Sequence, residues 1–365
     1  MAEHSILSAS GAERWIACAG SALVEAELPN ESNEHSELGT LAHDLAEKML
    51  RGTPFDLLEF DGEMLGYIQE YVAHCNELRT NAWYVGVEER VDFSPWVPGG
   101  FGTADFISIK DHTAFIVDLK YGYVRVSAKD NSQLRLYALG VLNEFDYLHR
   151  IEKFVCTIVQ PRVGHVGVAE YTREQLVEWA ETVAVPAAEL ALTPNAPRVP
   201  GRKQCLYCRA RANCGELKRH VETKILGHLE RSSDEIPIRQ VVSILDDKPL
   251  VDTFFKALSA RVYNEIMDGK DVPGRKLVLS KPNRILSNVN AAIARIREHK
   301  PDIKDDDLFK PRQSVSMSAL EKLLGKDKNI IAEFINRPDG VPVVASASDS
   351  RPAFIKDVSK ILEEK

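Results

Sequence analysis

Two spacings of apolar residues alternate along residues 1–200 and separate helices from strands. Residues 39–50, GTLAHDLAEKML, place Leu41, Leu45 and Met49 on one helical face, and a longer helical pattern occupies about 63–80. Residues 83–93, WYVGVEERVDF, alternate with period two, as a strand does. FGTADFISI and TAFIVDLKYG repeat that pattern on either side of the short polar turn KDH, which predicts a hairpin. Residues 129–145 return to helical spacing through Leu134, Tyr137, Ala138 and Val141. KFVCTIVQP, rich in branched residues, reads as a further strand, and 172–192 as a helix. A short helix carrying Trp15 and Cys18, capped by Ser8 or Ser10, comes before all of these. The order helix, helix, three strands, helix, strand, helix predicts an α/β fold with a central mixed sheet flanked by helices.

The segment TPNAPRVPGRKQ, dense in Pro and Gly, reads as a connector. Beyond about residue 220 the pattern changes to helices with one strand at RKLVLS and polar joints at SSDEIP and KPDIKDDD. The expected division is a core over 1–220 and a mainly helical C-terminal region over 221–365. With 44% hydrophobic and 27% charged residues the chain has the composition of a soluble globular protein. It has no run of eighteen apolar residues and no basic-then-apolar leader in MAEHSILSASGAERW, so a cytoplasmic setting without a membrane is expected.

The net charge of −8 is uneven. Residues 1–150 hold 11 Lys and Arg against 24 Asp and Glu, whereas residues 201–365 hold 31 against 24. An acidic first lobe suits a carboxylate metal site. A basic last lobe, with Lys256, Arg261, Arg275, Lys276, Lys281 and Arg284, suits phosphate contacts.

Four features follow one another in the acidic part: His43 on a helix, Asp105 in GGFGTADF, Asp118 and Lys120 in VDLKYG, and Gln133 and Tyr137 in QLRLY. Asp118 and Lys120 are two apart on a strand and share a face. Asp118 can ligate a hard divalent cation, Mg²⁺ or Mn²⁺, while Lys120 orients a water. Asp105, on the partner strand, can point into the same space. Gln133 and Tyr137, four apart, are neighbours on a helix.

This order resembles the RecB-like branch of the PD-(D/E)XK nucleases, which includes CRISPR-adaptation nucleases and, more distantly, lambda-type phage exonucleases. The resemblance implies a restriction-endonuclease-like core. It implies His43, Asp105, Asp118 and the carbonyl of Leu119 as metal ligands and Lys120 as the catalytic lysine. Gln133 and Tyr137 would lie close to substrate. Asp118 stands where many relatives have Glu. The motifs cover residues 10–215, and the C-terminal part is similar to phage or prophage versions.

Cys205, Cys208 and Cys214 form C-X2-C-X5-C, a metal-binding spacing that needs a fourth ligand. His220 would complete a zinc site, and Cys18 a Cys₄ site for zinc or a [4Fe–4S] cluster. In the iron–sulfur subgroup of RecB-like nucleases one cysteine precedes the nuclease motifs and three follow, and by that resemblance Cys18 and [4Fe–4S] are expected. Cys75 and Cys156 read as core residues.

No G-X-X-X-X-G-K-[ST] occurs, so the chain carries no helicase motor of its own. The expected activity is a metal-dependent DNA nuclease. By resemblance this is an exonuclease that resects duplex ends, 5′ to 3′, for recombination or repair alongside a partner protein. The alternative is a non-catalytic DNA-binding or scaffolding protein that keeps the fold.

Overall fold

The structure, a computed structural model, describes residues 5–29, 34–56, 60–224, 236–280, 285–286, 288–310, 313–314, 320, 324–336, 341–346, 349 and 351–354. It is a mixed α/β protein in two compact units, Met1–Phe254 and Phe255–Lys365. The boundary falls later than 220.

The first unit opens with α1 (Ala12–Ala17) and α2 (Ala22–Ala26), then α3 (Glu34–Arg51) and α4 (Gly62–Arg79). Strands β1 (Tyr84–Asp92), β2 (Phe101–Lys110) and β3 (Thr113–Leu119) follow, then α5 (Ser132–His149) and β4 (Lys153–Gln160). A fifth strand, β5 (His165–Thr172), completes a sheet in the order β1-β2-β3-β4-β5. Only β3 and β4 are parallel, and α5 is the crossover that joins them. The tail of the unit holds α6 (Arg173–Trp179), a π-helical turn over Ala180–Ala184, α7 (Val185–Ala191), α8 (Arg202–Leu206), α9 (Gly215–Lys224) and the start of α10 (Ile238–Met267).

The sequence pattern misses β5, and the reason is burial. Along β5 the positions alternate between half-buried and exposed, with none fully buried, because the strand lies at the sheet's edge. Its apolar Val166 and Val168 face solvent. The first helix also differs slightly. Its N-cap is Gly11, whose N–H donates to Ser8 Oγ at 3.3 Å.

Each face of the sheet is covered by its own helices. On one side α5 presents Leu134, Ala138 and Val141 to Ile107, Ile109, Ile116, Phe154 and Ile158, and α1 and α7 add Trp15 and Ala188. On the other, Ala42, Leu45 and Ala46 of α3 and Ile68, Tyr71 and Cys75 of α4 cover Phe106, Val117, Leu119 and Val159. The α5 stripe is the one read from the sequence, whereas on α3, which begins earlier than expected, the buried line runs through Ala42, Leu45 and Ala46 and leaves Leu41 and Met49 only partly covered. Cys75 and Cys156 are fully buried, and burial pushes both thiols up to about 12, so they are inert core residues.

In the second unit, β6 (Arg275–Leu279) pairs antiparallel with Pro342–Ser346. A small core gathers Ala292, Ile293 and Ile296 of α11 (Val289–His299) with Leu308, Leu324 and Ile331. Among the described residues, no helix is long and apolar enough to cross a membrane.

Two glycines test the layered packing with opposite signs. A Cβ at Gly140 on α5 would lie 2.7 Å from Val91 Cβ on β1, whereas one at Gly66 on α4 would meet nothing within 4 Å. Gly66→Ala should therefore stabilise by about 0.5–1 kcal/mol through helix propensity. Gly140→Ala should destabilise by about 1–3 kcal/mol through overpacking. Urea unfolding of the two variants checks the difference in sign.

Candidate functional site

The site begins where β2 and β3 part. Their pairing runs from Lys110↔Thr113 to Phe106↔Val117 and stops there, while β2 continues beside β1 to Phe101↔Asp92. At the parting, Asp105 Oδ2 accepts the Leu119 N–H at 2.6 Å, so a side chain stands where the ladder would have supplied a backbone carbonyl. The contact is buried.

On the other side of Asp105 the β1–β2 pairing skips one pair. Val87↔Phe106 and Glu89↔Ala104 are paired, and between them Glu88 adopts φ +45°. Strand phase changes across this gap. Phe106 and Val87 pack with α3 and α4, whereas Ala104 and Val91 pack with α5. A left-handed conformation at a non-glycine residue is strained, and such strain gathers where a side chain must be re-aimed. Here it brings Glu88 beside Asp105. His43 reaches the same place from α3, with Nδ1 3.4 Å from Asp105 Oδ1 and 3.7 Å from Glu88 Oε1.

The ligand atoms of His43, Glu88 and Asp105 all lie within 4.8 Å of one another. Octahedral Mg²⁺ with bonds of about 2.1 Å sets its ligand atoms about 3–4.2 Å apart, so this trio fits such a cation after small adjustments. Burial disfavours the His43 imidazolium, but the contacts with Asp105 and Glu88 and the charge of Asp118 outweigh it and push the group up to about 10.

Asp118 is 1% exposed and centres a second cluster. Lys120 Nζ lies 2.9 Å from its Oδ2 and also donates to Gln133 Oε1 at 3.0 Å. Gln133 Nε2 donates to Asp118 Oδ1 and to the Tyr137 hydroxyl, each at 3.0 Å. Although Lys120 is close to Asp118 Oδ2, that oxygen accepts no hydrogen bond of normal geometry among the described residues. It is a buried acceptor with a lone pair to spare, a second observation that fits a cation.

Burial raises the Asp118 carboxyl to about 6, helped by the charge of Asp105 and opposed by Lys120 and His43. Burial works against the Lys120 ammonium, but Asp118 and Asp105 hold it above its ordinary value. Burial, with the charges of Asp118 and Asp105, keeps the Tyr137 phenol neutral, so its O–H remains a donor. The Tyr137 ring lies against the α carbon of Gly102, where a Cβ would sit 2.7 Å from Cε1. No side chain fits there without displacing the ring.

The structure thus brings His43, Asp105, Asp118, Lys120, Gln133 and Tyr137 to one end of the sheet. Leu119 is tied in through its N–H. Glu88 was missed by the sequence reading. Its only signal is a pair of acidic residues, Glu88 and Glu89, interrupting an apolar alternation.

The basic C-terminal residues behave differently from one another. Lys256 and Arg275 are exposed, and Arg261 lies 3.8 Å from Glu265. Lys276 is committed internally, since its Nζ donates to the carbonyls of Asp349 and Arg351 at 2.8 and 2.9 Å. Lys281 and Arg284 lie outside the described residues.

Cys18, Cys205, Cys208 and Cys214 line one small cavity with Val199, Gln204 and Leu217. Backbone N–H groups point at every sulfur. Val199 donates to Cys18 at 3.2 Å, Gly201 to Cys205 at 3.4 Å and Leu217 to Cys214 at 3.5 Å, and Ala210 donates to Cys208. Such donors favour thiolate and tune metal-bound sulfur. Burial nevertheless raises Cys18, Cys205 and Cys208, the last to about 11. His220 does not line this cavity. Its Nε2 lies 3.5 Å from Asp247 Oδ2 instead. Among the described residues, no three cysteine sulfurs come within 4.8 Å of one another.

Buried Glu25 fastens the segment bearing Cys18 to the cysteine trio. Its carboxylate accepts Arg14 Nε at 2.5 Å and the Arg209 N–H at 2.7 Å.

The chain belongs to the family described as "Protein of unknown function (DUF2800)", which it matches over residues 4–352. A solved structure titled "Crystal structure of SSO0001" is similar at 15% identity over 59% of this chain and 88% of that one, with a TM-score of 0.29. At that score the likeness carries no argument.

The assignment of Glu88 as a ligand is directly testable. Glu88→Gln should weaken Mn²⁺ binding by about tenfold or more, the size of effect expected when a well-oriented ligand set loses a member. Glu89→Gln, at the adjacent position, should leave it unchanged. Titration calorimetry of the two variants against the parent separates them.

Proposed function

We propose that this chain is a divalent-cation-dependent DNA nuclease of the RecB-like PD-(D/E)XK kind, acting on duplex ends, with a structural [4Fe–4S] cluster. The observation that carries the reading is the meeting of two groups at the β2–β3 parting. One is a carboxylate–histidine trio, and the other is a buried Asp–Lys pair held by Gln133 and Tyr137. Each group has a separate task in phosphodiester hydrolysis.

His43, Glu88 and Asp105, with Oδ2 of Asp118, would hold Mg²⁺ or Mn²⁺. Such a cation supplies charge neutralisation at the phosphate and water activation. Lys120 does the rest of the positioning. Its ammonium is fixed between Asp118 and Gln133 and directs its remaining N–H toward the attacking water or a phosphate oxygen. Gln133 sets the distance between Lys120 and Tyr137 by donating to both Asp118 and the Tyr137 hydroxyl. Tyr137 keeps its own proton and offers it to a phosphate oxygen.

The four cysteines with their N–H···S donors would hold the cluster, with Cys18 as the fourth ligand and His220 outside it. Thiolate ligands suit a reducing cytoplasm. Exposed Lys256 and Arg275 are available for phosphate contacts on the second unit.

Lys120→Ala and Asp118→Asn should each lower Mg²⁺-dependent cleavage of linear duplex by at least about a thousandfold, with an unchanged circular dichroism spectrum, since both act on the water and phosphate. Covalently closed circles should survive with the parent protein. Nicking of circles would make it an endonuclease, and no cleavage by the parent of any substrate would leave a DNA-binding scaffold.

For the cluster, anaerobically purified protein should be brown and carry about four irons per chain. Cys18→Ser should lose the iron, and His220→Ala should keep it. A colourless protein with one zinc, indifferent to Cys18, would replace the cluster with a zinc site.

A further inference from the structure

Strands β3 and β4 are parallel neighbours and end side by side, with the Lys120 N–H donating to the Val159 carbonyl at 2.9 Å. In open α/β sheets, ligands gather beyond such carboxyl ends. Two short segments leave here, Tyr121–Lys129 after β3 and Pro161–Val163 after β4.

The first segment is exposed yet firmly held. Fully buried Gln160 pins its backbone three times. Its Nε2 donates to the carbonyls of Gly122 and Val124 at 2.7 and 2.8 Å, and its Oε1 accepts the Val126 N–H at 3.1 Å. Tyr121 is buried and meets Tyr67 edge-on at 6.3 Å. The Arg162 guanidinium lies over the Tyr121 ring at 4.7 Å and over the Tyr123 ring at 3.9 Å, and donates to the Tyr123 hydroxyl. Tyr67, Tyr121, Arg162 and Tyr123 are therefore linked ring to ring, and Tyr123 at the outer end is 56% exposed.

Three features of this outer end point to a ligand. An aromatic ring is presented to water on a loop that internal hydrogen bonds keep from folding over it. The stack is already ordered, so a flat partner would not have to immobilise Tyr123 on arrival. Exposed Arg125 follows two residues later and has no ion-pair partner among the described residues. An aromatic face beside the Arg162 guanidinium and an unpaired Arg125, in an otherwise acidic lobe, matches what a single polynucleotide strand offers, which is bases to stack and phosphates to neutralise. Tyr123 is three residues past Lys120, at most about 11 Å along an extended chain, which is about three stacked bases.

We propose that Tyr123, held by Arg162, is a stacking platform for an unpaired base of DNA, and that the strand entering the site is single-stranded where it passes Lys120. This rests on the nuclease reading for what happens to the strand afterwards, but the capture of a base does not need cleavage to be seen. A duplex end would have to fray to reach Tyr123, whereas a single strand binds directly.

The test uses the full chain, with Ca²⁺ in place of Mg²⁺, and an oligo-dT carrying one 2-aminopurine. The parent should bind this strand more tightly than a blunt duplex of equal length and quench its fluorescence by stacking. Tyr123→Ala should weaken single-strand binding by about tenfold and abolish the quench, while duplex binding stays the same. Tyr123→Phe, which keeps the ring and loses only the hydroxyl, should keep both affinity and quench. Because the side chain is exposed, unchanged melting of Tyr123→Ala serves as the folding control. Equal binding by parent and Tyr123→Ala, or an equal loss for strand and duplex, would overturn the platform. A parent that quenches in Ca²⁺ but cuts neither strand nor duplex when Mg²⁺ or Mn²⁺ is restored would support the platform and sink the nuclease reading. A parent that cuts, with binding indifferent to Tyr123, would do the reverse.

Discussion

The Leu119 N–H donates to the Asp105 carboxylate, and the candidate site is arranged around that one buried hydrogen bond. A sheet ladder is satisfied by backbone carbonyls, and a side chain that takes a carbonyl's place ends the ladder at that point. β2 is then free to follow β1 while β3 follows β4. The parting makes a gap that both faces of the sheet can reach. His43 comes from the α3 side, and Gln133 and Tyr137 from α5. A regular ladder would have kept those two sets of side chains on opposite faces of a closed sheet.

The cost of this arrangement is electrostatic. Glu88, Asp105 and Asp118 are brought close together in a partly buried place, offset by His43 and Lys120. The Asp118 carboxyl is raised by burial and by the neighbouring negative charge, whereas His43 is raised by that charge against the effect of burial. Lys120 is clamped by Asp118 and Gln133 and has little freedom to leave. Gln133 contributes through geometry, since one amide reaches the lysine, the aspartate and the tyrosine at once.

The parts that obey simple periodicity were legible in the sequence. The helices of α3, α4 and α5, the hairpin of β2 and β3, and the Asp118–Lys120 pair all show as spacing, because each buries a regular face. The parts that were not legible break periodicity or lack a buried face. β5 is an edge strand whose valines face water, so alternation there has no hydrophobic contrast. Glu88 enters the site through a left-handed backbone conformation, which glycine, Asn or Asp would announce but a glutamate does not. The clamp on Tyr123 depends on Gln160 and Arg162, almost forty residues away in sequence, and only the parallel pairing of β3 and β4 brings them together.

That pairing of distant segments also explains why a cysteine site would belong in such a protein. Cys18 ends the N-terminal helix whose Trp15 and Ala12 pack in the same core as Tyr137, and Ala9 stands against the Gly102 corner on which the Tyr137 ring rests. This segment is buried through Leu7, Ala9, Ala12 and Trp15, and polar contacts add to that packing. The ion pair of Arg14 with Glu25 fixes part of it, and the Arg209 N–H on Glu25 joins it to the cysteine trio. A group bonded to all four sulfurs would close a loop from Cys18 to Cys205, about three quarters of the first unit. In the chain-entropy picture that contributes several kcal/mol, roughly 4–5 for a loop longer than a hundred residues. The stabilisation would act on α1, and through Ala9 and Gly102 on the orientation of Tyr137. A group held by the four cysteines would in this way bear on the placement of Tyr137 from a part of the unit that does not itself line the His43–Asp118 cluster.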